Sequence, residues 1–243
     1  MSTSAIIRIP ILPLGMVNAF LVRSASACIL VDTGLPGSEH KIERALRRNG
    51  LGWRDIRLIV ITHAHVDHAG SAARLRELSG APIVAHAGDL PHYRREVPMT
   101  FCPSGWFGRA FQRTGLMLEP YQPFTPDILL DGITPLDLRD FDIDGTLHPT
   151  PGHTQGSLSL TLANQHALVG DLLASGILLG GIIRTHRAKS PPFEDDPRQV
   201  AQQLQALLDG GMSIFHLGHG GPVAADEVGR HVQRLLTGRA ARH

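Results

Sequence analysis

The chain has 243 residues, of which 42% are hydrophobic and 19% charged, a composition that supports a folded core and excludes extended disorder. Its formal net charge is +1, so charge gives no reason to expect binding to nucleic acid or to an anionic membrane. There is no apolar stretch of membrane-spanning length, no pattern of a secretion signal and, with only Cys28 and Cys102, no disulfide framework, so we expect a cytoplasmic protein.

The first third of the sequence predicts strands that alternate with helices. Short apolar runs predict the strands, and apolar residues at helical spacing predict the helices. Ser38 is a predicted N-cap for a helix that Gly50 ends, and Asp32-Thr33-Gly34 predicts a turn after a strand. The predicted strands cover residues 6–9, 16–23, 27–31, 58–61 and 82–85, and the predicted helices cover residues 39–49 and 69–78.

Residues 86–126 interrupt this alternation and predict an insertion that covers the domain. The stretch contains six prolines and seven aromatic residues, with one predicted helix near residues 105–114. The aromatic side chains could form the small core of the insertion, or they could line a substrate pocket, because pockets are mostly apolar and aromatic. We expect substrate specificity to reside here and in the loop at residues 174–192.

The second half of the sequence returns to strands and ends with helices. The apolar runs predict strands at residues 128–130, 141–143, 146–149, 157–162, 166–169 and 213–217. Helices are predicted at residues 197–209, where Pro197 suits a first turn, and at residues 225–236, where His231 is expected on the surface. The chain thus consists of two halves, each with strands followed by helices, and these predict a sandwich with the helices outside.

The stretch Thr62-His63-Ala64-His65-Val66-Asp67-His68 carries the strongest chemical signal in the sequence. It places three imidazoles and one carboxylate within six residues, directly after a predicted buried strand. Neutral imidazole and carboxylate together suit zinc, iron or manganese. A chance cluster of histidines in a polar loop is the alternative, but further residues of the same types follow later in the chain.

Three more predicted strand ends carry residues of the kind that bind metals. His153 follows a Pro-Gly turn, Asp171 ends an apolar strand, and His219 lies in a glycine-rich loop. Each is weak evidence alone. Together with the first motif they supply five histidines and two aspartates, which is enough for two metal ions with coordination positions left open for water, as catalytic sites require.

Taken in order, these residues resemble the metallo-β-lactamase fold superfamily. His63-x-His65-x-Asp67-His68 is similar to the signature of that superfamily, and His153, Asp171 and His219 match its later ligands. The resemblance covers nearly the whole chain. It implies an α/β (α+β) fold, a four-layer αβ/βα sandwich of mixed sheets with helices outside. One domain would span residues 1–243, with the insertion at 86–126 covering the site.

The resemblance also implies a role for each residue. His63, His65 and His153 would hold one divalent ion, Asp67, His68 and His219 a second, and Asp171 would bridge both; zinc is the expected metal, with iron or manganese as alternatives. Asp67 would also act in catalysis, orienting the bridging hydroxide or taking up a proton. Asp32 would support the metal loops from behind without binding an ion.

The function that this resemblance implies is hydrolysis of a small ester-like substrate, a thioester or a lactone, by a hydroxide held between two metal ions. A small-molecule phosphodiesterase and a mononuclear iron persulfide dioxygenase, using His63, His153 and Asp171, are the alternatives. A β-lactamase is less expected, because exported members of that kind commonly lack the bridging aspartate. The partner would be a small molecule, with no nucleic acid or membrane involved, and a homodimer remains open.

Overall fold

The computed structural model describes residues 4–177 and 182–237, and its strands form two six-stranded sheets and one short ribbon. The strands of the first sheet are β1 (Ala5–Pro10), β2 (Asn18–Arg23), β3 (Cys28–Val31), β4 (Ile56–Val60), β5 (Ile83–His86) and β6 (Ile128–Leu130). They lie side by side in this order. The first three are antiparallel, and β3 to β6 are parallel.

The second sheet is built from the second half of the chain. The strands there are β7 (Leu136–Asp137), β8 (Gly145–Pro149), β9 (Leu158–Leu162), β10 (His166–Leu168), β11 (Ala174–Ser175), β12 (Ala188–Lys189), β13 (Ile214–His216) and β14 (Val223–Ala224). The sheet order is β14-β13-β10-β9-β8-β7, while β11 and β12 pair with each other. Because β9 is antiparallel to both β8 and β10, and β13 is parallel to β10, the strands β8, β10 and β13 run in one direction.

The helices are α1 (Glu39–Arg48), α2 (Val66–Ala69), α3 (Ala72–Ser79), α4 (Leu90–Tyr93), α5 (Gly105–Gln112), α6 (Pro197–Asp209) and α7 (Ala225–Leu236). The side chain of Asp196 caps α6 by accepting hydrogen bonds from the backbone N–H groups of Arg198 and Gln199. Within the described parts of the chain, no helix is long and apolar enough to cross a membrane.

Three buried clusters show how the layers stack. Strand β3 alternates, since Cys28 and Leu30 face the helices α1 and α3, while Ile29 and Val31 face the second sheet. The middle cluster joins the two sheets through side chains such as Leu160. A third cluster packs α6 and α7 against the far face of the second sheet. The order of layers is therefore αβ/βα, which confirms the predicted sandwich.

Two of the predictions for the second half are wrong. Residues 141–143 do not form a strand, because a short 3-10 helix at Leu138–Phe141 ends in Asp142, whose φ of 58° turns the chain back. His231 is not a surface residue either. It lies on the inner face of α7 and only 2% of it is exposed.

Candidate metal centre

The first metal-type motif lies where β4 leaves the sheet. His63 and His65 follow in extended backbone, and the chain then turns directly into α2, so that Asp67 and His68 project from one helical turn. The backbone N–H of His68 donates to the carbonyl of His65. This change from extended chain to helix explains why four side chains so close in sequence can surround one point.

The other three residues come from the second sheet, at its facing edge. His153, Asp171 and His219 follow β8, β10 and β13 respectively. Since these strands run in one direction, their carboxyl ends meet at the same edge, opposite the end of β4. All seven residues are buried, each at most 6% exposed. The structure thus brings together every side chain that the sequence proposed as a metal ligand.

The seven side chains approach one another at the distances expected around ions. The Nε2 atom of His219 lies 2.9 Å from Asp171 Oδ2 and 3.4 Å from Asp67 Oδ2. The Nε2 atom of His68 lies 3.4 Å from Asp171 Oδ1. The arrangement contains three groups whose ligand atoms all lie within 4.8 Å of one another: His63, His65 and His153; His63, His68 and Asp171; Asp67, His68 and His219.

Several buried polar atoms in this cluster have no hydrogen-bond partner among the described residues. They include one nitrogen of each of three imidazoles and one oxygen of each of two carboxylates. Leaving a buried polar atom unpaired costs about 1–3 kcal/mol, so a group of them at one point indicates atoms that bind something else. The unpaired atoms are His63 Nε2, His68 Nε2, His153 Nδ1, Asp67 Oδ1 and Asp171 Oδ1. A donor set of imidazole nitrogens and carboxylate oxygens fits zinc, iron or manganese.

The electrostatics divide the imidazoles into two kinds. Burial, reinforced by neighbouring imidazoles, lowers the pKa of His63 and His65, and burial lowers that of His153 to about 4. These rings are therefore neutral, which is the form that binds a metal. Burial opposes a charge on His68 as well, but Asp171, Asp67 and Asp32 together raise its pKa to about 10. A metal at this ring would displace a proton.

Asp32 supports the imidazole ring of His68 from behind, as the resemblance implied. Its Oδ2 accepts hydrogen bonds from His68 Nδ1 at 2.8 Å and from the Thr62 hydroxyl at 2.9 Å, while Oδ1 accepts from the Thr62 N–H. With Nδ1 occupied, the Nε2 atom of His68 faces the centre. A carboxylate behind a histidine ligand fixes the tautomer and the orientation of the ring.

Side chains that the sequence did not single out surround the cluster. The ring of Phe101 packs on His65 with centroids 5.0 Å apart, so the insertion reaches the centre. The hydroxyl of Tyr121 donates to the carbonyl of Ala64. A cavity of about 340 Å³ lies beside Ala64 and is lined by insertion residues that include Arg95 and Met99. Tyr93 and Phe124 of the insertion join the core cluster on the helical side of the first sheet, while Tyr121 lines the cavity.

Glycine is required at two positions next to the cluster. A Cβ on Gly218 would lie 2.3 Å from Asp171 Oδ1 and 2.5 Å from His68 Cε1, and one on Gly170, whose φ is +51°, would lie 2.8 Å from the Thr62 hydroxyl. The sequence showed glycines in these loops, but it did not show which side chains of distant segments lie against them.

Comparison with known proteins agrees with this arrangement of fold and site. The profile of the metallo-beta-lactamase superfamily matches residues 12–209, a range that includes all of the clustered side chains except His219, and the chain belongs to this superfamily. This confirms the family that the motif residues resemble.

Individual relatives are named as hydrolases. A probable metallo-hydrolase of Bacillus subtilis (strain 168) is 30% identical over 182 residues, covering 73% of this chain and 74% of that protein. A hydroxyacylglutathione hydrolase of Anaeromyxobacter dehalogenans (strain 2CP-C) is 28% identical over 207 residues, covering 82% of this chain and 60% of that protein. A metallo-beta-lactamase family protein from Thermus thermophilus has the same fold, with a TM-score of 0.67 at 22% identity, covering 99% of this chain and 80% of that one.

Proposed function

We propose that this protein is a hydrolase that uses two divalent metal ions to cleave a small ester-like substrate, a thioester or a lactone. The observation that carries the proposal is the position of Asp171 between two groups of ligands. Its Oδ1 lies 3.4 Å from His68 Nε2, while its Oδ2 lies 2.9 Å from His219 Nε2 and 3.9 Å from His153 Nε2. Asp171 thus lies 3.9 Å or less from His153, which belongs to one group, and from His68 and His219, which belong to the other. A carboxylate within reach of both groups is suited to being shared by two ions.

In this proposal His63, His65 and His153 hold one ion and Asp67, His68 and His219 hold the other, with Asp171 shared. We expect zinc, with iron or manganese as alternatives. When bound, such ions lower the pKa of a coordinated water to about 7 and polarise the oxygen of the scissile bond. The protein supplies the neutral imidazoles, the buried surroundings and the orientation of each ligand.

Asp67 has a second role in the proposal, because a carboxylate that binds an ion through one oxygen keeps the other oxygen for a proton. Its Oδ2 lies 3.4 Å from His219 Nε2, and its buried Oδ1 has no partner among the described residues. This free oxygen can orient a nucleophile or take up the proton that the leaving group needs. We expect Asp67→Asn to lower kcat more than zinc affinity, measured by steady-state kinetics and zinc titration of the same preparation. Equal losses of both would leave Asp67 as a ligand only.

Support for the substrate class comes from the relatives and from the insertion. Hydroxyacylglutathione, after which one relative is named, is a thioester. The cavity beside Ala64 is lined by apolar side chains together with the charged side chains of Arg95, Glu96 and Glu119, and such a combination suits a substrate that has both an apolar and a polar part. Ala64 and Val66, which flank His65 along the chain, both line this cavity.

The first experiment is elemental analysis of protein purified without a metal-binding tag, with His153→Ala and His148→Ala as a matched pair. His148 forms a hydrogen bond with the hydroxyl of Thr161 on β9 and is not part of the cluster. The His148→Ala variant should therefore keep two ions per chain, while His153→Ala should lose one. Two ions in the wild type would support the hydrolase and direct assays to thioesters, lactones and phosphodiesters. A single iron, with oxygen consumption on persulfides, would instead support a dioxygenase.

A further inference from the structure

We propose that Asp89 is a positioning residue for one half of the metal centre, the half made by His63, His65 and His153. It would act by linking the loop of the first two histidines to the loop of the third. The inference rests on the proposed function, because it assigns Asp89 to one of the two proposed ion sites. Asp89 itself binds no ion in this proposal and lies outside the ligand cluster.

The hydrogen bonds of Asp89 join two distant parts of the chain. Its Oδ2 accepts from the backbone N–H of Ala64 at 2.9 Å and from the Thr154 hydroxyl at 2.9 Å, and its Oδ1 accepts from the backbone N–H of Gly156 at 2.9 Å. Ala64 is the residue between His63 and His65, and Thr154 directly follows His153. One carboxylate therefore sets the distance between the segments that carry all three imidazoles.

The segment that carries Asp89 and the loop that follows His153 approach each other too closely for any residue larger than glycine at two positions. A Cβ on Gly156 would lie 2.5 Å from Asp89 Cγ, and a Cβ on Gly88 would lie 2.6 Å from the carbonyl of Gln155. Asp89 is 2% exposed. Water therefore has little access to replace the carboxylate, and hydrogen bonds removed here would leave buried N–H groups without an acceptor.

The backbone of Ala64 is held by hydrogen bonds at both its N–H and its carbonyl, which fixes its position. Asp89 accepts from its N–H, and Tyr121 donates to its carbonyl at 3.0 Å. Asp32 plays a different part, because it accepts directly from the ring of His68 in the other half of the centre. Two of the buried aspartates, Asp32 and Asp89, thus lie behind the proposed ligands, one at each proposed ion site.

The chemistry of the site requires a carboxylate and not an amide. Every group that Asp89 contacts through these bonds is a donor, and two of them are backbone N–H groups on opposite oxygens. In Asp89→Asn, the amide NH₂ would face a backbone N–H whichever way the side chain turned. The variant preserves size and shape but repels one of the two loops, so it tests the link between them.

The experiment measures zinc affinity in two backgrounds, by competition with a chromophoric chelator. His219→Ala weakens the second site and leaves the three-imidazole site to be measured. His153→Ala does the reverse. We expect Asp89→Asn to lower zinc affinity about tenfold or more in the His219→Ala background and to leave it unchanged in the His153→Ala background.

Asp127→Asn is the matched control, since Asp127 also accepts a backbone hydrogen bond, from Ile83, but contacts neither loop. It should change zinc affinity in neither background. Gly156→Ala is the second variant in case Asp89→Asn does not fold. This variant keeps the carboxylate of Asp89 but forces it away from the loop that follows His153. We expect it to lower zinc affinity at the three-imidazole site.

The outcomes separate this inference from the proposed function. If the wild-type protein binds fewer than two zinc ions, the proposed function fails before Asp89 is tested. If the wild type binds two, the inference is overturned by unchanged affinity in the His219→Ala background, or by equal losses in both backgrounds. An affinity loss confined to the three-imidazole site supports it.

Discussion

Replacing Gly218 with alanine should damage the metal centre without replacing a proposed ligand. The new Cβ would lie 2.3 Å from Asp171 Oδ1 and 2.5 Å from His68 Cε1. The backbone at Gly218 has little freedom to retreat, because its N–H donates to the carbonyl of Gly170 at 2.9 Å and its carbonyl accepts from the N–H of Asn18 at 2.8 Å. The side chains must therefore move instead.

The size of the effect follows from these distances. An ordinary contact requires the Asp171 oxygen to move by about 1 Å, and such overpacking costs about 1–3 kcal/mol of unfolding free energy. For a chain of this size, a loss of about 2 kcal/mol lowers Tm by about 4–8 °C. Because Asp171 is proposed to contact both ions, we expect zinc affinity to fall at both sites, by about tenfold or more.

The assay combines calorimetry of the metal-free protein with zinc titration. Gly229→Ala is the control, since Gly229 lies inside α7 and its new Cβ would meet only Leu208 Cδ1, at 4.0 Å. The same chemical change there should raise stability by about 0.5–1 kcal/mol, because glycine is unfavourable within a helix. If Gly218→Ala keeps the Tm and both zinc affinities of the wild type, the close approach described here is wrong.

Two further predictions concern residues outside the proposed ligand set. Asp32→Asn should lower zinc affinity about 10–100-fold, because the amide NH₂ must face a donor, either the Thr62 N–H or the side chains of His68 and Thr62. The His153→Ala background isolates the affected site, and unchanged affinity there would refute the supporting role of Asp32. Burial, with help from Arg234, lowers the pKa of His231 to about 4. The unfolded chain therefore takes up a proton first as the pH falls from about 6.5 to about 4, and stability is lost in that window. Denaturant unfolding of metal-free protein at pH 7 and pH 5 should show a loss about 2 kcal/mol smaller for His231→Leu than for the wild type, and identical losses would contradict the assignment.

The sequence predicted most elements correctly where a local pattern was strong. The closing helix at Ala225–Leu236 was predicted with the bounds observed, because its apolar residues repeat at helical spacing without interruption. The predicted strand at residues 141–143 was wrong because Phe141 and Ile143 are apolar on alternate positions, while the φ of 58° at Asp142 ends any extended run. Three residues carry too little pattern to separate a strand from a turn.

The sequence by itself determined which side chains make up the cluster. His63, His65, Asp67 and His68 lie within six residues, and His153, Asp171 and His219 each follow a strand with a turn signal. Those features are local, because ligand type and strand ends are both encoded over a few neighbouring residues. The order of the motifs along the chain then indicated the superfamily, and with it the sandwich.

Apart from the role of Asp32, the tertiary structure alone decided how the cluster is supported. Asp89 carries no local signal, since its donors lie 25, 65 and 67 residues away along the chain. The requirement for glycine at position 218 likewise depends on side chains that only the folded sheets bring within 3 Å. A hydrogen bond or a close approach between distant segments leaves no periodic mark in the sequence, because it depends on where two independent strands end in space.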